Sequence, residues 1–228
     1  YSMKIEALDI KEVGRIQELK QGIVKISGLP NCAYGDMIEF DNGLKGMIIE
    51  FNPTHAFGIV FGDERKIKVG DVVSGRGGLL SVPVGDNFIG RVVDPLGVPM
   101  DGKGAIEQAE FYPVFREASG VMEREPIDQT LHTGIKIIDL LVPLGKGQRE
   151  LIVGDRQIGK TSIGLDTIIN QKGKNVICIY CWIGGPHAAL KKIIHNLYQE
   201  DALKYTIIVS ASADASAAEQ YLAPYVAS

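Results

Sequence analysis

The eight residues Gly154-Asp155-Arg156-Gln157-Ile158-Gly159-Lys160-Thr161 constrain this chain more than any other stretch. They fit the pattern G-x-x-x-x-G-K-[ST], with an apolar run before them and a helix-like pattern after them. A glycine at each end lets the backbone curl until its N–H groups point inward, and the following helix adds the positive end of its dipole. That combination cradles phosphate. Lys160 is placed to reach the β and γ phosphates of a nucleoside triphosphate, and the Thr161 hydroxyl is placed to ligate Mg²⁺, a hard ion that takes oxygen ligands.

A loop of this kind needs a parallel α/β sheet around it, and the rhythm after Glu150 agrees. Leu151 to Val153 is expected to be the first strand, and Thr161 to Gln171 a helix with Leu165, Ile168 and Ile169 on one face and Gly173 as its stop. Val176 to Ile183 reads as a strand covered on both faces. An amphipathic helix follows, with Leu190, Ile193, Ile194 and Leu197 at helical spacing. Tyr205 to Val209 reads as a third strand, and Asp214 is expected to cap a last helix that Pro224 ends.

Upstream, from Val13 to about Val82, the pattern is different: short β runs separated by glycine and charge. Met37 to Phe40 and Leu44 to Phe51 flank Asp41-Asn42-Gly43, a strong hairpin signal. Further short strands at Gly58 to Phe61 and around Asp71 to Ser74 give the spacing of a closed antiparallel barrel. The expected organisation is therefore a barrel domain over residues 1–82 and the first part of a P-loop nucleotide-binding domain over 83–228.

Composition narrows the function classes. The formal charge is −4 with a pI near 5.6, and no Lys/Arg run is dense enough to follow a phosphate backbone, so nucleic acid is excluded as an expected partner. The longest apolar run, Val176 to Ile183, falls well below the ~18 residues a membrane-spanning helix needs. Three cysteines argue against a disulfide framework. Cys178 and Cys181 form a C-x-x-C, but within a strand the two side chains face opposite ways, so packing is the expected role. The chain opens at Tyr1, which leaves room for a leader already removed.

The loop is better equipped to bind than to hydrolyse. Hydrolysis needs a group that orients the attacking water, commonly a carboxylate or glutamine near the γ phosphate. The strand next to the loop ends in Ile183-Gly184-Gly185-Pro186-His187, which carries neither. Asp155 lies within the loop and Asp166 on the helix, so both read as structural or solvated, and His187 reads as exposed. An Asp ending a later apolar strand, the usual partner in the Mg²⁺ shell, is also missing, because Asp214 lies beyond Ser210 and Ala211. A sheet with three strands would keep an open edge, so its remainder is expected from a second polypeptide, or the chain is a fragment.

The run from Gly145-x-Gly147-Gln148-Arg149-Glu150 through Gly159-Lys160-Thr161 resembles the alpha-subunit family of F-type ATP synthases, with Asp155-Arg156-Gln157 as its mark. The likeness continues through Gly58 to Gly62, Gly90 to Gly102 and Gln220 to Tyr225. The resemblance implies a six-stranded crown barrel, then a RecA-like nucleotide-binding domain. It also implies a non-catalytic, regulatory role in a rotary, proton-translocating complex, not an enzyme by itself. Gln157, Gly159, Lys160, Thr161 and Ser162 match the family's nucleotide contacts, within a binding stretch that includes Gly154, Asp155, Arg156 and Ile158; Thr161 matches its magnesium ligand. The implied ligands are ATP or ADP with Mg²⁺. The implied partners are beta subunits, the central-stalk gamma subunit, peripheral-stalk subunits and a second polypeptide completing alpha. The implied location is the matrix side of the mitochondrial inner membrane, without a span.

Three departures stand out. Gly185 falls where the family has Gln and the catalytic beta subunit has its water-orienting Glu. Ile158 replaces the usual loop threonine, and the segment between Glu125-Pro126 and His132-Thr133-Gly134 is longer than usual. A different class of function, a ring-forming motor acting on RNA or exported protein, would need a carboxylate near Gly185 and a basic or aromatic barrel face. A third reading is a ring-completing module that binds no nucleotide.

Overall fold

The computed structural model describes residues 12–107 and 110–228. Strands β1 (Glu12–Lys20), β2 (Ile23–Ser27), β3 (Asp36–Phe40), β4 (Lys45–Phe51), β5 (Ala56–Phe61) and β6 (Val72–Leu79) come first. They close an antiparallel barrel in the order β1-β2-β5-β4-β3-β6. The alternation read from the sequence is the reason: Ile16, Val24, Ile26, Ile38, Phe40, Ile48, Val60 and Val73 all point inward into one core. The Asn-Gly hairpin forms as expected, with Gly43 at φ +79° and the Asn42 side chain accepting from Leu44 N–H at 3.0 Å. Gly46 is required for space, since a β-carbon there would lie 2.5 Å from the Ile59 carbonyl oxygen.

The chain then runs through β7 (Ser81–Val84), β8 (Val92–Val93), β9 (Glu110–Pro113), β10 (Thr130–Leu131), α1 (Lys136–Leu141) and β11 (Leu144–Gly145). The α/β part follows as α2 (Lys160–Ile169), β12 (Cys178–Ile183), α3 (His187–Gln199), β13 (Thr206–Ala211) and α4 (Ala217–Ala227). Its sheet has the order β12-β13-β8, with parallel pairing throughout. Cys178, Tyr180 and Trp182 face a cluster built by Ile168, Leu190, Ile193 and Leu197, while Cys181 faces the opposite cluster with Val93, Val209 and Ala223. The C-x-x-C is therefore split between two cores, and burial pushes both thiols up, Cys181 to about 11. Neither is a thiolate near neutral pH.

Three sequence expectations are corrected here. Leu151 to Val153 is not a strand: no described strand lies beside it, and its side chains are 81, 45 and 77 % exposed. A strand exists by pairing, and the third place in the sheet belongs instead to the short β8. Asp214 does not cap α4. Ser216 does, accepting from Glu219 N–H at 3.2 Å while the Glu219 carboxylate accepts from Ser216 N–H at 2.8 Å, a reciprocal S-x-x-E box. Pro224 lies inside α4 rather than at its end. Its missing N–H leaves the Gln220 carbonyl without a helical donor, but buried Leu222 and Ala223 keep that turn packed.

Helix α4 also joins the two parts. Leu222 sits in one apolar cluster with Met47 and Phe61 of the barrel and with Leu80 and Val82 just beyond it. Next to β8, the Arg91 guanidinium holds Asp101 through two bonds of 2.7 and 3.0 Å, with the two side chains only 14 % and 7 % exposed. That contact draws the Asp101 carboxyl down to about 2. A depressed carboxylate stabilises the fold at pH above its ordinary value of about 3.9 and loses that contribution as pH falls through its folded value. Asp101→Ala, which leaves a partly exposed guanidinium without its counter-charge, is expected to lower unfolding free energy at pH 7 by about 1 kcal/mol in chemical denaturation. That deficit should vanish as the measurement is moved toward pH 2.

Candidate functional site

The phosphate-loop residues stand at the N-terminus of α2, where the sequence places them. The loop runs without regular structure from Leu151 and enters the helix at Lys160, with Gly159 at φ +94° as the preceding residue. Gln157 is also left-handed at φ +64°, so two left-handed residues fall within three just before the helix, backbone of the kind from which anion-binding nests are built. Lys160 folds back over this loop: its Nζ donates to the Gly154 carbonyl at 2.6 Å and to the Asp155 carbonyl. Ile158 lies over the start of the loop, its Cδ1 at 2.2 Å from where a β-carbon on Gly154 would be. A side chain at position 154 would have to push the exposed end of Ile158 aside.

Asp155, Arg156, Gln157, Ile158, Thr161 and Ser162 are all exposed, with Thr161 and Ser162 in the first turn of α2. An ammonium and helix-terminal amides suit phosphate oxygens, and the two hydroxyls offer oxygen ligands of the kind a hard divalent cation takes. Among the described residues no group of three or more His, Cys, Asp or Glu side chains could hold a metal by itself.

The helix is held from its far end. The Asn170 and Gln171 side-chain amides both donate to the His132 carbonyl, at 2.7 and 2.9 Å, and Gln171 is buried. Asp139 accepts from the Thr133 hydroxyl at 2.7 Å and from Gly134 N–H at 3.0 Å, fixing the turn that presents that carbonyl. The His132-Thr133-Gly134 segment thus anchors α2, a role its sequence did not reveal.

At the C-terminal edge of the sheet, β12 runs into Gly184-Gly185-Pro186-His187 with no carboxylate of its own, and the carboxylate brought there is that of Asp214, from the turn after β13. Gly184 adopts φ +66°, and Asp166 is exposed on α2. His187 is more engaged than expected: Nε2 meets the Asp214 carboxylate at 2.9 Å and Nδ1 meets the Ser212 hydroxyl at 3.2 Å. The hydrogen bond from His187 holds the Asp214 carboxyl below its ordinary value. This pair ties the start of α3 to the turn after β13, which is why Asp214 is not free to cap α4.

Two models of one family match the chain: the beta-barrel domain of the ATP synthase alpha/beta family over residues 9–77, and its nucleotide-binding domain over residues 134–228. The chain belongs to the ATP synthase alpha/beta family. Curated relatives named ATP synthase subunit alpha extend the likeness over nearly all of it. The Sulfurovum sp. protein is 49 % identical across 96 % of this chain. That of Clostridium acetobutylicum is 47 % identical across 99 %, and that of Metamycoplasma arthritidis 48 % identical across 94 %. The chain spans 43, 44 and 41 % of the lengths of these three relatives. All three are bacterial, which overturns the expected mitochondrial inner-membrane location. No helix among the described residues is long and apolar enough to cross a membrane.

The Asp214 contact is open to direct measurement. In His187→Ala the Asp214 carboxyl should titrate at higher pH than in the unaltered chain when followed by carbon-13 NMR, because the donor that favours its charged form is gone.

Proposed function

We propose that this chain is a nucleotide-holding, non-catalytic alpha subunit of a bacterial-type ATP synthase, or its N-terminal portion. Residues 1–82 serve as its barrel domain and 83–228 as the first part of its nucleotide-binding domain. The single observation that carries the reading is the loop Gly154–Thr161 at the N-terminus of α2, with Lys160 folded over its carbonyls, no carboxylate within Ile183–His187, and the neighbouring Asp214 tied to His187.

In this reading the loop amides of Asp155 to Gly159 take the phosphate oxygens, and the N-terminus of α2 adds its dipole. Lys160 leaves the Gly154 and Asp155 carbonyls for the β and γ phosphates, exchanging neutral acceptors for charged ones that bind an ammonium more strongly. Thr161 gives its hydroxyl to Mg²⁺, which when bound neutralises the phosphate charge, and Ser162 adds a second hydroxyl. Gly185 offers nothing to water, so bound ATP persists. The partners that follow from membership in this family are beta subunits, central- and peripheral-stalk subunits, and whatever polypeptide supplies the rest of the relatives' length.

Equilibrium binding of labelled nucleotide to the chain, supplemented with the complementary half of a relative, tests this. Mg-ATP should bind without turnover, and Lys160→Ala should weaken binding by at least about tenfold, or about 1.4 kcal/mol. Thr161→Ala should remove most of the Mg²⁺ dependence while leaving metal-free binding in place. Hydrolysis by the unaltered chain that Lys160→Ala abolishes would contradict the reading.

A further inference from the structure

The end of β12 has a large side chain in an informative place. Cys178, Tyr180 and Trp182 project to the side covered by α2 and α3, and Trp182 is the last of them, at the edge from which parallel sheets bind their ligands. Its ring stacks on Tyr180, with centroids 6.5 Å apart and 25° between planes. It packs in the same cluster as Leu165 and Ile168 of the phosphate-loop helix. Its Nε1–H donates to the Gly185 carbonyl at 3.3 Å.

The ring covers the α-carbon of Gly185. A β-carbon on that residue would lie 2.1 Å from Cζ2 and 2.5 Å from Cε2 of the indole, closer than real carbons approach. The backbone is not the reason for glycine here: Gly184 is left-handed at φ +66°, whereas Gly185 is not among the residues with positive φ. Any L-residue could adopt the backbone at 185. Only the tryptophan excludes it.

We propose that Trp182 is a positioning residue that fills the space a side chain at position 185 would take, so that the Trp182–Gly185 pair, rather than the glycine alone, disfavours a water-orienting group there. The proposal rests on the reading of the loop as a triphosphate site. In the reaction so blocked, a water oxygen bonds to the γ phosphorus, the bond from that phosphorus to the ADP oxygen breaks, and the proton lost by the water passes to a carboxylate. A glutamate placed at 185 would have to displace the indole before it could take that proton, and the displaced ring would compete with its carboxylate for the same space.

Trp182 is the sole tryptophan of the sequence, so its emission reports the contact without a label. In the full chain, Gly185→Ala should shift that emission to the red as the ring is expelled, and should lower the thermal midpoint by about 2–4 °C, the cost of a modest overpacking. In a Trp182→Ala background the same substitution should leave the midpoint within about 1 °C. Unchanged emission, or an equal loss in both backgrounds, overturns the steric claim.

Lys160-dependent hydrolysis of Mg-ATP should be at least about tenfold faster in Trp182→Ala/Gly185→Glu than in Gly185→Glu alone, as expected when one general base is admitted. Equal turnover in the two overturns the functional claim. A chain that fails to bind Mg-ATP in equilibrium dialysis would defeat the triphosphate reading instead, and would leave the emission and melting results standing on their own.

Discussion

The α/β part depends on one parallel ladder, in which Cys178 to Ile183 pairs residue for residue with Thr206 to Ala211. A parallel pair cannot be joined by a tight turn, so the chain must leave the sheet and return through a helix, here α3. Because successive side chains alternate, the same ladder fills two apolar clusters, one beneath α2 and α3 and one beneath α4. Its C-terminal edge then delivers Trp182, Gly185, His187, Ser212 and Asp214 to a single neighbourhood. What this edge holds, and what it lacks, sets the chemistry available to the chain.

Much of this was legible from residue types alone. The barrel could be read because its strands are short, largely alternate and turn at pairs such as Asn42-Gly43. The loop could be read because its glycines and lysine have few other uses in that order between an apolar run and a helix. The errors came where local pattern met a non-local requirement. Leu151 to Val153 has the composition of a buried strand, yet composition supplies no partner, and Val92–Val93 took the vacant place in the sheet from far upstream. Asp214 and Ser216 are both good helix caps, but only Ser216 has a glutamate three residues on to close the box, while Asp214 pairs with His187 from the start of α3. Pro224 stayed in α4 because packing outweighed the one hydrogen bond it forfeits.

The site shows the same division. Which residues make up the Gly154–Thr161 loop follows from sequence; how the helix after it is held does not. The His132 carbonyl that receives Asn170 and Gln171 belongs to a stretch with no motif, and the turn that presents it is fixed by Asp139. Nor could the sequence explain Gly185. Read alone it is a lost side chain, whereas the fold makes it the only residue that fits beneath an indole. Location was misjudged for another reason: the family resemblance was read as implying a mitochondrial member, but the relatives are bacterial.

The account stands on Lys160 exchanging loop carbonyls for phosphate while nothing nearby readies water. A crystal structure of the chain with Mg²⁺ and a non-hydrolysable ATP analogue tests that most directly. It should show the Lys160 ammonium withdrawn from the Gly154 and Asp155 carbonyls and bonded to β and γ oxygens, Thr161 Oγ on the metal, and no carboxylate of this chain in line with the γ phosphorus. A lysine still bonded to its own loop beside a bound analogue, or an acid of this chain poised behind the γ phosphate, would contradict it.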